Sequence, residues 1–182
     1  MNKKRKIIRI GIAVLLVIVV LFLGSKLLTR QGDTQGASTG IAFEKKSQNV
    51  NREFTFPIKS NDVEVSKIKF SIEKAETLDE IVVKGQKAKA VAGRMFLIIN
   101  IKIVNDYNKS IEINTKDYLR LIVNKNEGEF LAPDIHNDPV EVQAISTKYS
   151  RVGFPVNTSD NDFTLQIGEI KGDKQKVELK LE

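Results

Sequence analysis

The chain is short of the residues that most often carry chemistry. Its 182 residues include no cysteine, no tryptophan and a single histidine. Without cysteine there is no disulfide framework, no thiolate zinc site, no cysteine nucleophile and no lipid-modified cysteine to hold the protein to a membrane. One histidine, His136, excludes a multi-histidine metal site and leaves a Ser-His-Asp mechanism with little support. No internal repeat and no sustained heptad is present. Wholesale disorder is excluded in turn, because 41% of the residues are apolar and 29% charged, an ordinary globular composition.

A basic folded domain is also lacking, although the net charge is +6. Residues 1–30 hold seven bases and no acid, and the other 152 hold 22 bases against 23 acids. A nucleic-acid binder carries its basic excess on the folded domain. Here the excess sits at the N-terminus, so no nucleic-acid partner is expected.

What that N-terminus does contain is a run of fourteen residues, Ile10 to Leu23, without a polar side chain. A helix from Ile8 to Ser25 would be about 27 Å long at ~1.5 Å per residue, close to a hydrocarbon core of ~30 Å. Arg9 and Lys26 stand at its ends, where long side chains reach the headgroups. A buried core helix rarely lacks a polar face for four turns. Signal cleavage wants small residues at −3 and −1, whereas Leu21, Phe22 and Leu23 are bulky. Residues 10–28 are therefore read as a transmembrane signal anchor, with secretion after cleavage as the alternative. Lys3, Lys4, Arg5, Lys6 and Arg9 orient it: segment 1–9 lies in the cytoplasm and the C-terminal bulk outside, at the cell membrane.

Residues 29–52 are rich in Gly, Ser, Thr and Gln and read as a flexible stalk. From residue 53 to 182 the apolar period is two. Ile68, Phe70 and Ile72 alternate with polar residues, as do Met95, Leu97, Ile99, Ile101 and Ile103. The same holds for Leu119, Leu121 and Val123, for Val152, Phe154 and Val156, for Phe163, Leu165 and Ile167, and for Val177, Leu179 and Leu181. Phe54 with Phe56, and Ile111 with Ile113, make shorter strands. Each strand places one side chain in two on a shared core. Turn residues separate the runs, and no helical pattern competes. Seven to nine strands over this length predict an all-β antiparallel sandwich large enough to bury a core without disulfides. Phe96 and Ile98 make one strand apolar on both faces, which predicts a central strand covered on its second side.

The run Arg94 to Asp106 (RMFLIINIKIVND) resembles a strand of the bacterial family called domain of unknown function 4352. Lys109 to Ile113 and Tyr118 to Ile122 are similar to that family's next two strands, and Thr147 to Pro155 followed by Phe163 to Ile167 to its closing signature. The resemblance spans Phe54 to Leu181. It implies an immunoglobulin-like domain, similar to a mycobacterial immunoprotective secreted antigen, tethered outside the membrane by a lipoprotein signal or a helix. With no lipobox cysteine, the helix must do any tethering. The loop Glu129–Thr147 is longer and more acidic than the family's, and its pairing is open. The matched positions are core and turn residues and imply no catalytic ones.

Few residues invite a chemical reading. His136 lies between Asp134 and Asp138, as a metal or proton site would require, but a lone histidine beside a proline is ordinary in a polar loop. Ser159-Asp160-Asn161-Asp162 offers oxygen ligands for calcium without the EF-hand spacing or its closing Glu, which favours a turn. Lys84 to Ala90 carries three bases, and Glu76, Asp79 and Glu80 offset them, so a solvated hairpin is expected. Gly85 and Gly93 lack the strand–turn–helix context of a phosphate loop. Asn108-Lys109-Ser110 and Asn157-Thr158-Ser159 match glycosylation acceptors, a pattern common by chance. No cofactor, metal or catalytic residue is expected. The function expected is a non-enzymatic binding or interaction module at the cell envelope, with an envelope protein or polymer as partner. An accessory subunit of an integral-membrane complex and an envelope hydrolase are the alternatives.

Overall fold

A computed structural model describes residues 44–83 and 85–182. The orienting bases Lys3, Lys4, Arg5, Lys6 and Arg9, the anchor 10–28 and the stalk up to residue 43 lie outside the described residues. Among the described residues no helix is long and apolar enough to cross a membrane.

The described residues form eleven strands and one turn of 3-10 helix, in order: β1 (Ser47–Ser60), β2 (Val63–Leu78), β3 (Glu80–Val83), β4 (Gln86–Lys89), β5 (Arg94–Asn105), β6 (Ile111–Ile113), the 3-10 turn Thr115–Tyr118, β7 (Leu119–Val123), β8 (Val140–Val142), β9 (Ser146–Asn157), β10 (Phe163–Ile167) and β11 (Gln175–Leu179). All pairings are antiparallel. A four-stranded sheet runs β1-β2-β5-β9 and a three-stranded sheet β11-β10-β7, with β3-β4 and β6-β8 as two-stranded additions. The inner faces of the two large sheets share one apolar core, so the domain is an antiparallel β-sandwich.

The predicted alternation is the core. Phe70, Ile72, Leu97, Ile99, Leu121, Phe154 and Leu165 are fully buried. A β-bulge between Ile72 and Lys74 shifts the register of β2 against β5, so that Ala75 and Thr77 continue the buried face in place of Lys74 and Glu76. Asn61 and Asp62, at φ of 50° and 64°, turn β1 into β2 in the two-residue geometry that antiparallel strands favour.

The start of the domain needs correcting. Residues 29–52 read as stalk, yet β1 begins at Ser47. Ser47, Gln48 and Asn49 pair with Glu76, Ala75 and Lys74, and Ser47 exchanges main-chain bonds with Glu182 at 2.8 and 3.4 Å. These residues are polar because β1 is an edge strand, so they show no apolar alternation. A bulge at Asn51 and Pro57 further along discourage a second partner strand.

The Glu129–Thr147 loop is a strap across the β7 and β9 edges. Leu131 and Leu121 exchange main-chain bonds at 2.9 Å, and Gly153 donates to the Ile135 carbonyl at 2.7 Å. Val140–Val142 then pairs with β6. Gly153 is required there, since a Cβ would lie 2.6 Å from Ile98 Cδ1 and 3.2 Å from Ile135 Cβ. Ile98 is 2% exposed, on the second face of β5. Ile98 is covered as the double-sided apolar sequence predicts, whereas Phe96 on the same face is only half-buried.

Candidate functional site

The two ends of the sandwich present different surfaces. Phe163 opens β10 and Glu169 follows its end, which separates them by about 17 Å along the strand. The end where Glu44 and Lys46 enter is called the near end, and the end beside Glu169 the far end.

At the near end the polar side chains hold loops. Asp160 accepts the Asn157 N–H at 2.8 Å and the Asn124 amide at 2.9 Å. Arg94 donates to Asn157 Oδ1 at 3.3 Å and to the Pro155 carbonyl at 2.9 Å. Lys125 pairs with Asp162 at 3.1 Å. The segment 159–162 is thus a turn whose carboxylates are engaged by the protein, not a calcium loop. Lys87 pairs with Glu80 across the β3–β4 hairpin, with Gly85 in its turn at φ 80°. Residues 85–90 of the basic run belong to this hairpin, and Lys87 and Lys89 are exposed there; Lys84 lies outside the described residues.

At the far end lies a groove of about 670 Å³ between Lys59, β6, the 3-10 turn and the loop after β10. Its frame rests on two buried side chains. Asp138, 2% exposed at its side chain, accepts the Thr115 N–H at 2.7 Å, the Thr115 hydroxyl at 2.6 Å and the Lys116 N–H at 2.9 Å. Asn105, fully buried, donates to the carbonyls of Lys109, Val142 and Gln143 and accepts the Tyr107 N–H. Buried polar groups with this many bonds fix a loop in one conformation.

With the frame held from below, the rim is left to solvent. Glu112, Asp117, Glu169, Lys59 and Lys171 line the groove, and none has a side-chain ion pair among the described residues. Tyr118 is the one aromatic among the described residues of the lining. Its ring lies 4.8 Å from Phe56 and 5.7 Å from Phe70, centroid to centroid, so the core holds it rigidly. Tyr118 is partly buried, and its hydroxyl has no hydrogen-bond partner among the described residues. Burial pushes the Tyr118 phenol above its ordinary value, and the charges of Glu169 and Asp117 push the same way. The phenol therefore stays protonated and able to donate.

The sequence candidates fall elsewhere. Asp138 is a structural acceptor, and its own N–H donates to His136 Nδ1 at 3.3 Å. Asp134 is exposed in the strap. Among the described residues no group of three or more His, Asp or Glu side chains is arranged to hold a metal. The far-end groove was not marked by the sequence, because its lining comes from four separated segments. Tyr118 following Asp117 between two strands is the only local signal.

No family model matches the chain, and no curated protein is significantly similar to it. Among solved structures, a conserved hypothetical protein from Bacillus anthracis aligns over 75% of this chain and 99% of its own, at 10% identity and a TM-score of 0.52. The two share a fold. An uncharacterized beta-sandwich protein from Clostridium difficile aligns over 69% of this chain and 90% of its own, at 18% identity and a TM-score of 0.47.

Proposed function

We propose that the chain is a membrane-anchored, extracytoplasmic binding module whose sandwich is immunoglobulin-like, as the resemblance to domain of unknown function 4352 implies. It binds an envelope protein or polymer and catalyses nothing. The anchor reading is supported by the apolar run Ile10–Leu23 between Arg9 and Lys26, with its five preceding bases. The binding reading rests on one observation: Tyr118, held by the core, lines a groove in which, among the described residues, its hydroxyl has no hydrogen-bond partner and the charged rim no ion pair.

Membrane fractionation followed by protease treatment of intact cells tests the topology. The protein is expected in the membrane pellet, with residues 53–182 cleaved from outside. Recovery from the soluble fraction, or a domain protected until the cells are lysed, would overturn the reading.

A further inference from the structure

Strand β9 closes one side of the four-stranded sheet. The strap meets its outer edge at Gly153, which donates its N–H to the Ile135 carbonyl at 2.7 Å and accepts the Ile135 N–H at 3.1 Å. The strap then leaves that edge, because Asp138 is held at Thr115 and Lys116 and Val140–Val142 pair with β6. In an antiparallel ladder, every second residue turns its N–H and C=O to the same side. The register of β9 on β5 is unbroken from Asn157 to Ser146. The N–H and C=O of Thr147, Tyr149 and Arg151 therefore point with those of Gly153, away from β5. Among the described residues these groups have no main-chain hydrogen bond.

We propose that this open edge, residues 147–151, is a docking site for an extended acidic segment of a partner protein, which adds to the sheet as a further strand. The edge is built to be paired. Edge β1 carries a bulge and Pro57, whereas residues 147–151 carry neither. Thr147 and Tyr149 are good strand formers. Thr147 and Lys148 are exposed, and Tyr149 is 68% exposed. Main-chain bonds along such an edge supply affinity, and the flanking side chains supply specificity.

Charge identifies the occupant. Lys148 and Arg151 lie on the segment, Lys102 stands across from Tyr149, and the segment holds no acid. None of these three cations has an ion pair among the described residues. A second copy of the chain is the wrong partner. Paired antiparallel about Tyr149, it would set the two Lys148 side chains diagonally on one face, where like charges oppose pairing. Lysine on an edge strand deters indiscriminate pairing in this way. Carboxylates on the incoming strand turn that deterrent into attraction. The site lies outside the far-end groove, and the proposal does not depend on that groove binding anything.

Amide hydrogen exchange on the full chain tests it. The Thr147, Tyr149 and Arg151 amides are expected to exchange freely in the protein alone, and the Lys148, Ser150 and Val152 amides, which face β5, slowly. A blocked peptide of alternating Glu and Val should slow the first set by about tenfold or more and leave the second unchanged. The same peptide, fully N-methylated, keeps its charge but loses its main-chain donors, and should bind at least about tenfold more weakly. Lys102→Glu combined with Lys148→Glu should abolish the effect of the Glu peptide and transfer it to a Lys–Val peptide. Neither lysine makes a side-chain hydrogen bond or ion pair among the described residues, so this variant should melt with the parent. Protection of the first set in the protein alone would overturn the proposal, and its loss on dilution would show that a second copy holds the edge. Equal binding of the N-methylated peptide would overturn it too, since charge alone, as on an acidic polymer, would then suffice. So would equal slowing of the parent by the Glu and Lys peptides, or none by the Glu peptide at millimolar concentration.

Discussion

The two ends of this sandwich use the same kinds of side chain for different purposes. At the near end Asp160, Arg94 and Lys125 are tied to neighbouring backbone, amide or carboxylate groups. At the far end that work falls to two buried residues, Asp138 and Asn105, and the rim charges have no ion pair among the described residues. A carboxylate held by several N–H groups stabilises a loop but has no free valence for a ligand. An unpaired rim above a rigid frame has the opposite character, and it is preorganised, which lowers the cost of binding. Composition alone does not distinguish the two ends; the direction of the hydrogen bonds does.

The largest effect that would sharpen this contrast is at the far-end frame. Asp138→Ala leaves three donors without their acceptor, at roughly 1–3 kcal/mol for each that stays buried. A loss of roughly 3–5 kcal/mol in denaturant melts is expected, and a loss under about 1 kcal/mol would show that the strap does not hold the groove. Next comes the near end. Asp160→Ala removes a turn acceptor on a more exposed loop and should cost about 1–2 kcal/mol. Glu169→Ala and Tyr118→Phe, on the far rim, should change stability by no more than about 0.5 kcal/mol, because neither polar group has a protein partner. If either rim change costs as much as Asp160→Ala, the comparison fails.

These contrasts mark how far the sequence could be read. The inner face of β5, from Met95 to Ile103, stands in the sequence as a strict alternation and is buried as such. In β2 the alternation survives only to Ile72, because the bulge at Glu73 returns the buried face one residue late. The polar start of β1 was invisible for a related reason: Ser47–Asn49 are ordered by pairing with β2, which no local pattern encodes. Asp138 illustrates the site. Beside His136 and Asp134 it reads as one residue of a polar loop, and only its distant partners Thr115 and Lys116 show it to be a frame. Tyr118 was legible as a strand-start residue and not as the floor of a groove, since Phe56, Phe70 and Glu169 reach it from three other segments.

A smaller effect depends on pH. Burial alone would raise the Glu76 carboxyl, but hydrogen bonds from Lys45, Lys74 and Asn100 outweigh it and hold the group below its ordinary value of 4.5. A lowered folded value means that the unfolded chain takes up the proton first as pH falls. The stability from Glu76 is therefore present above pH 4.5 and lost as pH falls through the lowered folded value. Glu76→Gln should be less stable than the parent at neutral pH by under about 1 kcal/mol, given the exposure of its lysine partners. The difference should close in melts taken below the folded value. A gap that widens in acid would contradict the assignment.

The central claim is that the far end is the working surface. It is tested most directly by placing a photoreactive side chain at Ile170, which is 61% exposed beside the far-end groove, and at Lys125 on the near end, in full-length protein in living cells. The account predicts a discrete crosslinked product from position 170 that disappears with Glu169→Ala and Tyr118→Phe, and none from position 125. The same product from both positions, or from position 125 alone, would contradict it.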